Sequence, residues 1–166
     1  MHYQYLDSPL GRLLISADAE GLRAIDFENP DQAGLIQPDW QRGGACLADP
    51  LAQLAAYFTG ELRDFTLKLA PVGTPFRLEV WRELERIPYA RTISYGELAR
   101  RIGKPRASRA VGAANGANPI PIVLPCHRVI GADGSLTGYG GGVWIKQWLL
   151  AHERRHAGPE PFSLTA

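Results

Sequence analysis

The sequence predicts an α+β protein in which strands come first and helices second. Three observations point there. Short stretches before residue 30 alternate apolar and polar residues, a Pro71-to-Pro75 segment with two prolines and a glycine interrupts the chain, and beyond it apolar residues recur at spacings of three and four. With 166 residues, 45% of them hydrophobic, there is enough apolar surface for one sizeable domain or two small ones packed together.

Strands are expected over Tyr3 to Leu6, Arg12 to Ala17 and Leu22 to Phe27. They are divided by the turn-forming clusters Ser8-Pro9-Leu10-Gly11 and Asp18-Ala19-Glu20-Gly21, which makes an antiparallel meander. A polar stretch with Asn29-Pro30 and Gly43-Gly44 follows. Leu51, Leu54, Ala55 and Phe58 then fall at helical spacing, and Gly60 ends that helix. Phe65 to Leu69 reads as a last strand. The boundaries drawn are an N-terminal domain over 1–70, a linker over 71–75, a C-terminal domain over 76–156 and a flexible tail over 157–166.

In the second half, Thr74 is an N-cap with Pro75 in the first helical position, and Phe76, Val80, Leu84 and Ile87 share a face. Ser94-Tyr95-Gly96-Glu97 is a capping box that opens another helix, and Gly103 closes it in the left-handed conformation. After a Lys104-Pro105 turn, a third helix is expected over about Arg106 to Asn115, with Arg106 and Arg109 on one face. Two short helices around a tight turn make a helix-turn-helix. The third helix is lined with alanine, serine and glycine, leaving only Arg109 to protrude, which suits either docking on a groove or tight packing in the core.

The net charge of +1 conceals an asymmetry: residues 1–70 carry five Lys/Arg against ten Asp/Glu, and residues 71–166 carry thirteen against seven. Only the second half suits a polyanion. No apolar run is long enough to span a membrane and no secretory segment opens the chain, so no membrane partner and a cytoplasmic location are expected. Two cysteines, Cys46 and Cys126, are too few for a disulfide framework and are expected as thiols.

The sharpest chemical feature is Pro125-Cys126-His127-Arg128-Val129 after the apolar run Ile120 to Leu124. A nucleophilic cysteine is expected to have a lowered pKa and a neighbouring base, for which His127 is the candidate. In the last helix Ile145, Trp148, Leu149 and His152 form an apolar face, and Glu153 lies four residues after Leu149, placing a carboxylate on the buried stripe where it could orient that histidine. Thr137-Gly138-Tyr139-Gly140-Gly141-Gly142 can wrap round a flat ligand. It lacks the Lys-Ser/Thr of a nucleotide-binding P-loop, so nucleotide hydrolysis is rejected.

Asn118-Pro119 followed by Ile122-Val123-Leu124-Pro125-Cys126-His127-Arg128-Val129-Ile130-Gly131 resembles the active-site signature of O6-alkylguanine-DNA alkyltransferases. Arg109-Ala110-Val111-Gly112, Tyr139 and Trp148-Leu149-Leu150-Ala151-His152-Glu153 match in order and spacing, and the likeness is strong from about residue 74 to 154. The resemblance implies a small ribonuclease-H-like sheet domain followed by a winged helix-turn-helix-like domain. It implies stoichiometric, irreversible transfer of an alkyl group from O6-alkylguanine in double-stranded DNA, and by extension O4-alkylthymine, to Cys126.

By the same resemblance His127 activates Cys126 through a water, Glu153 holds His127, and Asn118 orders the turn beneath the site. Tyr95 donates to the departing guanine, while Arg109 fills the gap left by the flipped nucleotide as its helix docks in the minor groove. Ser94, Ala110, Arg128, Val129, Tyr139, Gly140 and Gly141 join the surface expected to touch substrate or DNA. Gly140 and Gly141 stand where several relatives have serine then glycine, leaving only backbone amides to donate there. No cofactor and no metal are expected, since the first half lacks the Cys/His cluster that binds zinc in some relatives. A monomer is expected, with cooperative assembly on DNA left open. Competing readings are a damage sensor without an acceptor thiol, which Cys126 opposes, a cysteine hydrolase, and zinc bound by Cys126, His127 and His152.

Overall fold

The structure is a computed structural model and describes residues 1–159; residues 160–166 of the expected tail lie outside the described residues. The expected meander forms as β1 (His2–Ser8), β2 (Gly11–Asp18) and β3 (Gly21–Asp26), with each strand beginning one residue earlier than the alternation suggests. A two-residue strand, β4 (Gln41–Arg42), adds in parallel to β1 and gives the order β3-β2-β1-β4. Leu13, Leu14, Ile15, Ser16 and Ala17 of β2 are all buried, so this strand is covered on both faces.

Phe65 to Leu69 does not form the expected strand. Among the described residues its sole ladder contact is an isolated parallel bridge between Leu69 and Leu22, supported by hydrogen bonds from Leu22 N to the Lys68 carbonyl and from Ala70 N to the Leu22 carbonyl. That close approach depends on Gly21, at φ +137°, where a Cβ would lie 2.5 Å from the Lys68 carbonyl oxygen.

Helix α1 (Ala48–Thr59) buries Leu54 and Tyr57 and ends at Gly60, as expected. Helix α2 (Pro75–Leu84) begins as the sequence indicates, with the Thr74 hydroxyl accepting from Arg77 N at 3.2 Å. Helix α3 (Tyr95–Arg101) is capped by Ser94, which accepts from Glu97 N at 3.0 Å. The reciprocal half of the expected capping box is replaced: the Glu97 carboxylate accepts from Arg100 and Arg101 on the exposed face. Gly103, at φ +72°, donates to the Arg100 carbonyl and Lys104 donates to that of Ala99, a Schellman closure.

Helix α4 (Ser108–Gly116) starts two residues later than expected. Arg106 therefore precedes the helix and does not share a helical face with Arg109. The face of α4 turned inward carries Val111, Ala114 and Asn115, and the Trp81 indole donates to the Ala114 carbonyl at 2.7 Å, joining α2 to α4. Helix α5 (Val143–His156) closes the described fold.

One junction lies within the helical half, and a second ties that half to the sheet. Strand β5 (Ile93–Ser94) pairs in parallel with β6 (Val129–Ile130), which sets the start of α3 beside the segment that follows Cys126. Ile25 N, near the end of β3, donates to the Pro119 carbonyl at 2.9 Å. The buried residues of both halves form one continuous apolar cluster.

Candidate active site

Cys126 opens a one-turn 3₁₀ helix, Cys126–Arg128, at the end of the turns that carry Ile120 to Leu124. Asn118 holds those turns from within, its amide donating to the Leu124 carbonyl at 2.8 Å while its oxygen accepts from Ile120 N at 2.9 Å. Asn115 on α4 reaches the Cys126 carbonyl at 3.3 Å. Ile122, β-branched and buried, sits at φ +75°, a conformation such residues adopt only where surrounding packing enforces it.

Behind the cysteine lies a buried polar network centred on Glu153. Its Oε1 is 2.7 Å from His127 Nε2, 3.0 Å from the Tyr57 hydroxyl and 2.8 Å from Arg128 Nη2. Its Oε2 accepts from Arg128 Nε at 3.0 Å and from Ala90 N at 3.2 Å. Ala90 is held at φ +60°, in the left-handed region, while it makes that bond. Burial alone would favour the neutral acid, but hydrogen bonds from His127 and Arg128 and the positive charge of Arg128 outweigh it and hold the carboxyl well below the usual carboxylate range. Burial pushes the His127 pKa down, with Glu153 partly opposing. The imidazole is therefore neutral at neutral pH, with Nε2–H donating to Glu153, and its buried Nδ1 has no partner among the described residues.

The thiol departs from the expectation of a lowered pKa. Burial pushes Cys126 up, against the opposing influence of Asn118, Tyr139 and Lys146, so the resting group is a thiol. The Tyr139 hydroxyl is buried beside it, close enough that each affects the other's ionisation, without an acceptor of good hydrogen-bond geometry. Lys146 is fully buried, donates to the Val129 carbonyl at 2.6 Å and has its pKa lowered by burial, with Cys126 opposing. A cavity of about 190 Å³ opens at Cys126, lined by Asn115, Asn118, Pro121, Gly138, Tyr139 and Gly140 together with Ile25, Asp26, Phe27 and Asn29 from the sheet half. A buried thiol beside a neutral histidine fixed by a carboxylate can lose its proton and attack an electrophilic carbon seated in that cavity.

The family model described as the 6-O-methylguanine DNA methyltransferase DNA-binding domain matches residues 75–155, and the one described as the ribonuclease-like domain of the same protein matches residues 1–71. The chain belongs to the 6-O-methylguanine DNA methyltransferase family.

Among curated members of this family, a methylated-DNA–protein-cysteine methyltransferase of Methanosarcina acetivorans is 48% identical over 153 residues, covering 92% of this chain and 98% of the relative. That of Mycolicibacterium paratuberculosis is 49% identical over 169 residues, covering 99% and 98%. The crystal structure of Mycobacterium tuberculosis OGT in complex with DNA superposes with a TM-score of 0.85 at 44% identity, covering 94% of each chain. An O6-methylguanine-DNA methyltransferase from Pyrococcus kodakaraensis gives 0.68 at 25% identity, covering 92% of this chain and 98% of that one.

Within this methyltransferase fold the residues singled out from sequence differ in where they stand. Cys126, His127, Glu153 and Asn118 converge as just described. Tyr95, at the start of α3, is half-buried with its hydroxyl 3.4 Å from the Thr137 carbonyl, and Ser94 uses its oxygen to cap α3. Arg109 and Ala110 are exposed on α4, and Gly140 is exposed with open space where a Cβ would stand. Gly141 is half-buried, and a Cβ there would lie 2.5 Å from Ile145 and 2.9 Å from Phe27.

Two expectations need correction. The Arg128 side chain is turned inward, onto Glu153 and the Ile87 carbonyl at 2.7 Å, because leaving that carboxylate unpaired in the interior would be costly; its guanidinium is not on the DNA-facing surface. The Val129 side chain is likewise buried, leaving only its backbone to take part. Zinc on Cys126, His127 and His152 is opposed by His152 Nε2 lying 2.7 Å from the Tyr57 carbonyl and His127 Nε2 lying on Glu153. Tyr57, Asn115 and Lys146 were not identified from sequence. Lys146, next to the apolar Ile145, carries no local signal of burial, and the neighbours of Tyr57 come from the far end of the chain.

Proposed function

We propose that the protein repairs DNA by direct reversal, as a methylated-DNA–protein-cysteine methyltransferase that moves the alkyl group from O6 of guanine to its own Cys126. The observation that carries this reading is the buried Glu153–His127 pair directly behind an otherwise protonated cysteine. The Cys126 proton passes through a bridging water to His127 Nδ1 as sulfur attacks the alkyl carbon. A sulfur–carbon bond forms, the carbon–O6 bond breaks, and its electron pair goes to guanine. Tyr95, whose pKa burial raises, keeps its proton and donates a hydrogen bond to the base as negative charge grows there. The proton from the thiol finally reaches guanine, so the products are S-alkylcysteine and an unmodified base. O4-alkylthymine presents the same alkyl-oxygen bond and is a second substrate.

The thioether has no proton to lose and is a poor leaving group, which makes the event irreversible and limits each molecule to one turnover. Residues 76–156 form the DNA-binding and active-site domain, docking α4 in the minor groove as a monomer, with Ser94, Ala110 and the backbone of Val129, Gly140 and Gly141 at the contact. Arg109 enters the stack when the damaged nucleotide is turned out. Residues 1–70 form the ribonuclease-H-like structural domain, joined by the 71–75 linker, and the protein acts in the cytoplasm. Among the described residues no helix is long and apolar enough to cross a membrane.

The test is the mass of the intact protein, then of its peptides, after exposure to O6-methylguanine duplex DNA. One methyl mass on the peptide containing Cys126, absent in Cys126→Ser, is expected. Several turnovers per molecule, or a label on Cys46, would refute the proposal.

A further inference from the structure

We infer that Tyr57, on helix α1 of the sheet half, is a positioning residue that tunes the Glu153–His127 pair during proton transfer from Cys126. The inference rests on the function proposed above and assigns the N-terminal half a part in the chemistry. Tyr57 is fully buried, and its hydroxyl donates at 3.0 Å to Glu153 Oε1, the same oxygen that holds His127 Nε2 at 2.7 Å. Its backbone is fixed as well, since the Tyr57 carbonyl accepts from His152 Nε2 at 2.7 Å, so consecutive residues of α5 grip both ends of this tyrosine. The ring lies against Phe58, Phe65, Tyr89 and His152, with centroids 5.3 to 6.3 Å away, which leaves the hydroxyl little freedom to turn elsewhere.

The hydroxyl therefore competes with His127 for the lone pairs of one carboxylate oxygen. Burial and the Glu153 charge both raise the phenol's pKa well above its ordinary value, so it remains a donor at every pH of interest. Each donor on Oε1 spreads the carboxylate charge and weakens its hold on an imidazolium. Removing the Tyr57 hydroxyl concentrates that charge on His127, which then keeps a proton to higher pH. Other titratable groups around the pair are Arg128, Lys146, Cys126, Tyr89, Tyr139 and His152, and all of these side chains are the same in wild type and Tyr57→Phe.

The experiment is single-turnover transfer by full-length wild type and Tyr57→Phe, across the acid range, from O6-methylguanine duplex and from free O6-benzylguanine. The acid limb, set by protonation of His127, is expected to move up by roughly half to one pH unit in Tyr57→Phe, equally for both substrates because both use the same base. A lost packing contact would lower the rate at every pH without moving the limb. A limb that superimposes on wild type, or moves down, overturns the inference. If Tyr57→Phe does not fold, 3-fluorotyrosine at position 57, a stronger donor of nearly the same shape, should move the limb down, and no movement overturns it. Wild type that leaves Cys126 unalkylated would refute the proposed function itself, whereas labelled Cys126 with an unmoved limb would refute only the role of Tyr57.

Discussion

Arg128 closes on Glu153 as a buried ion pair across 25 positions of sequence, with Nη2 2.8 Å from Oε1 and Nε 3.0 Å from Oε2. The pair explains how a carboxylate can sit at zero exposure beside a histidine and remain charged. Removing the cation alone strands the anion. Arg128→Met should therefore destabilise the fold by about 3–5 kcal/mol, and Arg128→Met combined with Glu153→Leu should recover most of that loss. Urea denaturation of the two variants checks this, and a loss under about 1 kcal/mol for the single variant would show that Arg128 is not the counter-ion assumed.

The same network sets the pH dependence of stability. Burial lowers the folded pKa values of His127 and His152 below the ordinary imidazole value of 6.5. The unfolded chain then binds more protons, so their contribution is fully present above that value and is lost as pH falls through the folded values. Glu153 is depressed from 4.5, so its contribution is present above 4.5 and is lost at more acidic pH. Denaturation midpoints should be level close to neutrality, below the alkaline range where Cys126, Tyr57, Tyr139 and Lys146 titrate, and decline in two stages on acidification. A midpoint that stays level between about pH 7 and pH 4 would contradict this assignment of charges.

Arg109 stands exposed on α4, away from the buried network. Arg109→Ala should slow transfer from duplex DNA by about tenfold or more, because holding a nucleotide outside the stack costs a few kcal/mol, while leaving transfer from the free base nearly unchanged. Single-turnover rates for the two substrates make the comparison. Equal slowing of both would place Arg109 in the chemistry and not in base flipping.

Adduct size should depend on the loop after Tyr139. Gly140 has open space at its missing Cβ, so serine fits there without strain and narrows the entrance to the cavity at Cys126. Gly140→Ser is expected to slow benzyl transfer more than methyl transfer. Trp144 is 54% exposed and does not line the cavity, so Trp144→Ala should leave the ratio of the two rates unchanged. A ratio altered by Trp144→Ala but unaffected by Gly140→Ser would reverse the assignment.

What the sequence determined by itself was local. Alternation placed the three strands, capping chemistry placed Thr74, Ser94 and Gly103, and a spacing of four put Glu153 on the buried stripe of α5, because each of these effects acts within one or two turns of chain. Resemblance in the Pro125-Cys126-His127-Arg128 segment supplied the chemistry. Only the tertiary structure decided that Arg128 turns inward, that Lys146 is buried, that Phe65 to Leu69 stays out of the sheet, and that Tyr57 shares an oxygen with His127. Tyr57 and Glu153 are 96 positions apart, and no local preference links them. Their contact follows from burying a carboxylate where α1 meets α5: the cost of leaving Oε1 unsatisfied selects whichever donor the packed fold can bring to it.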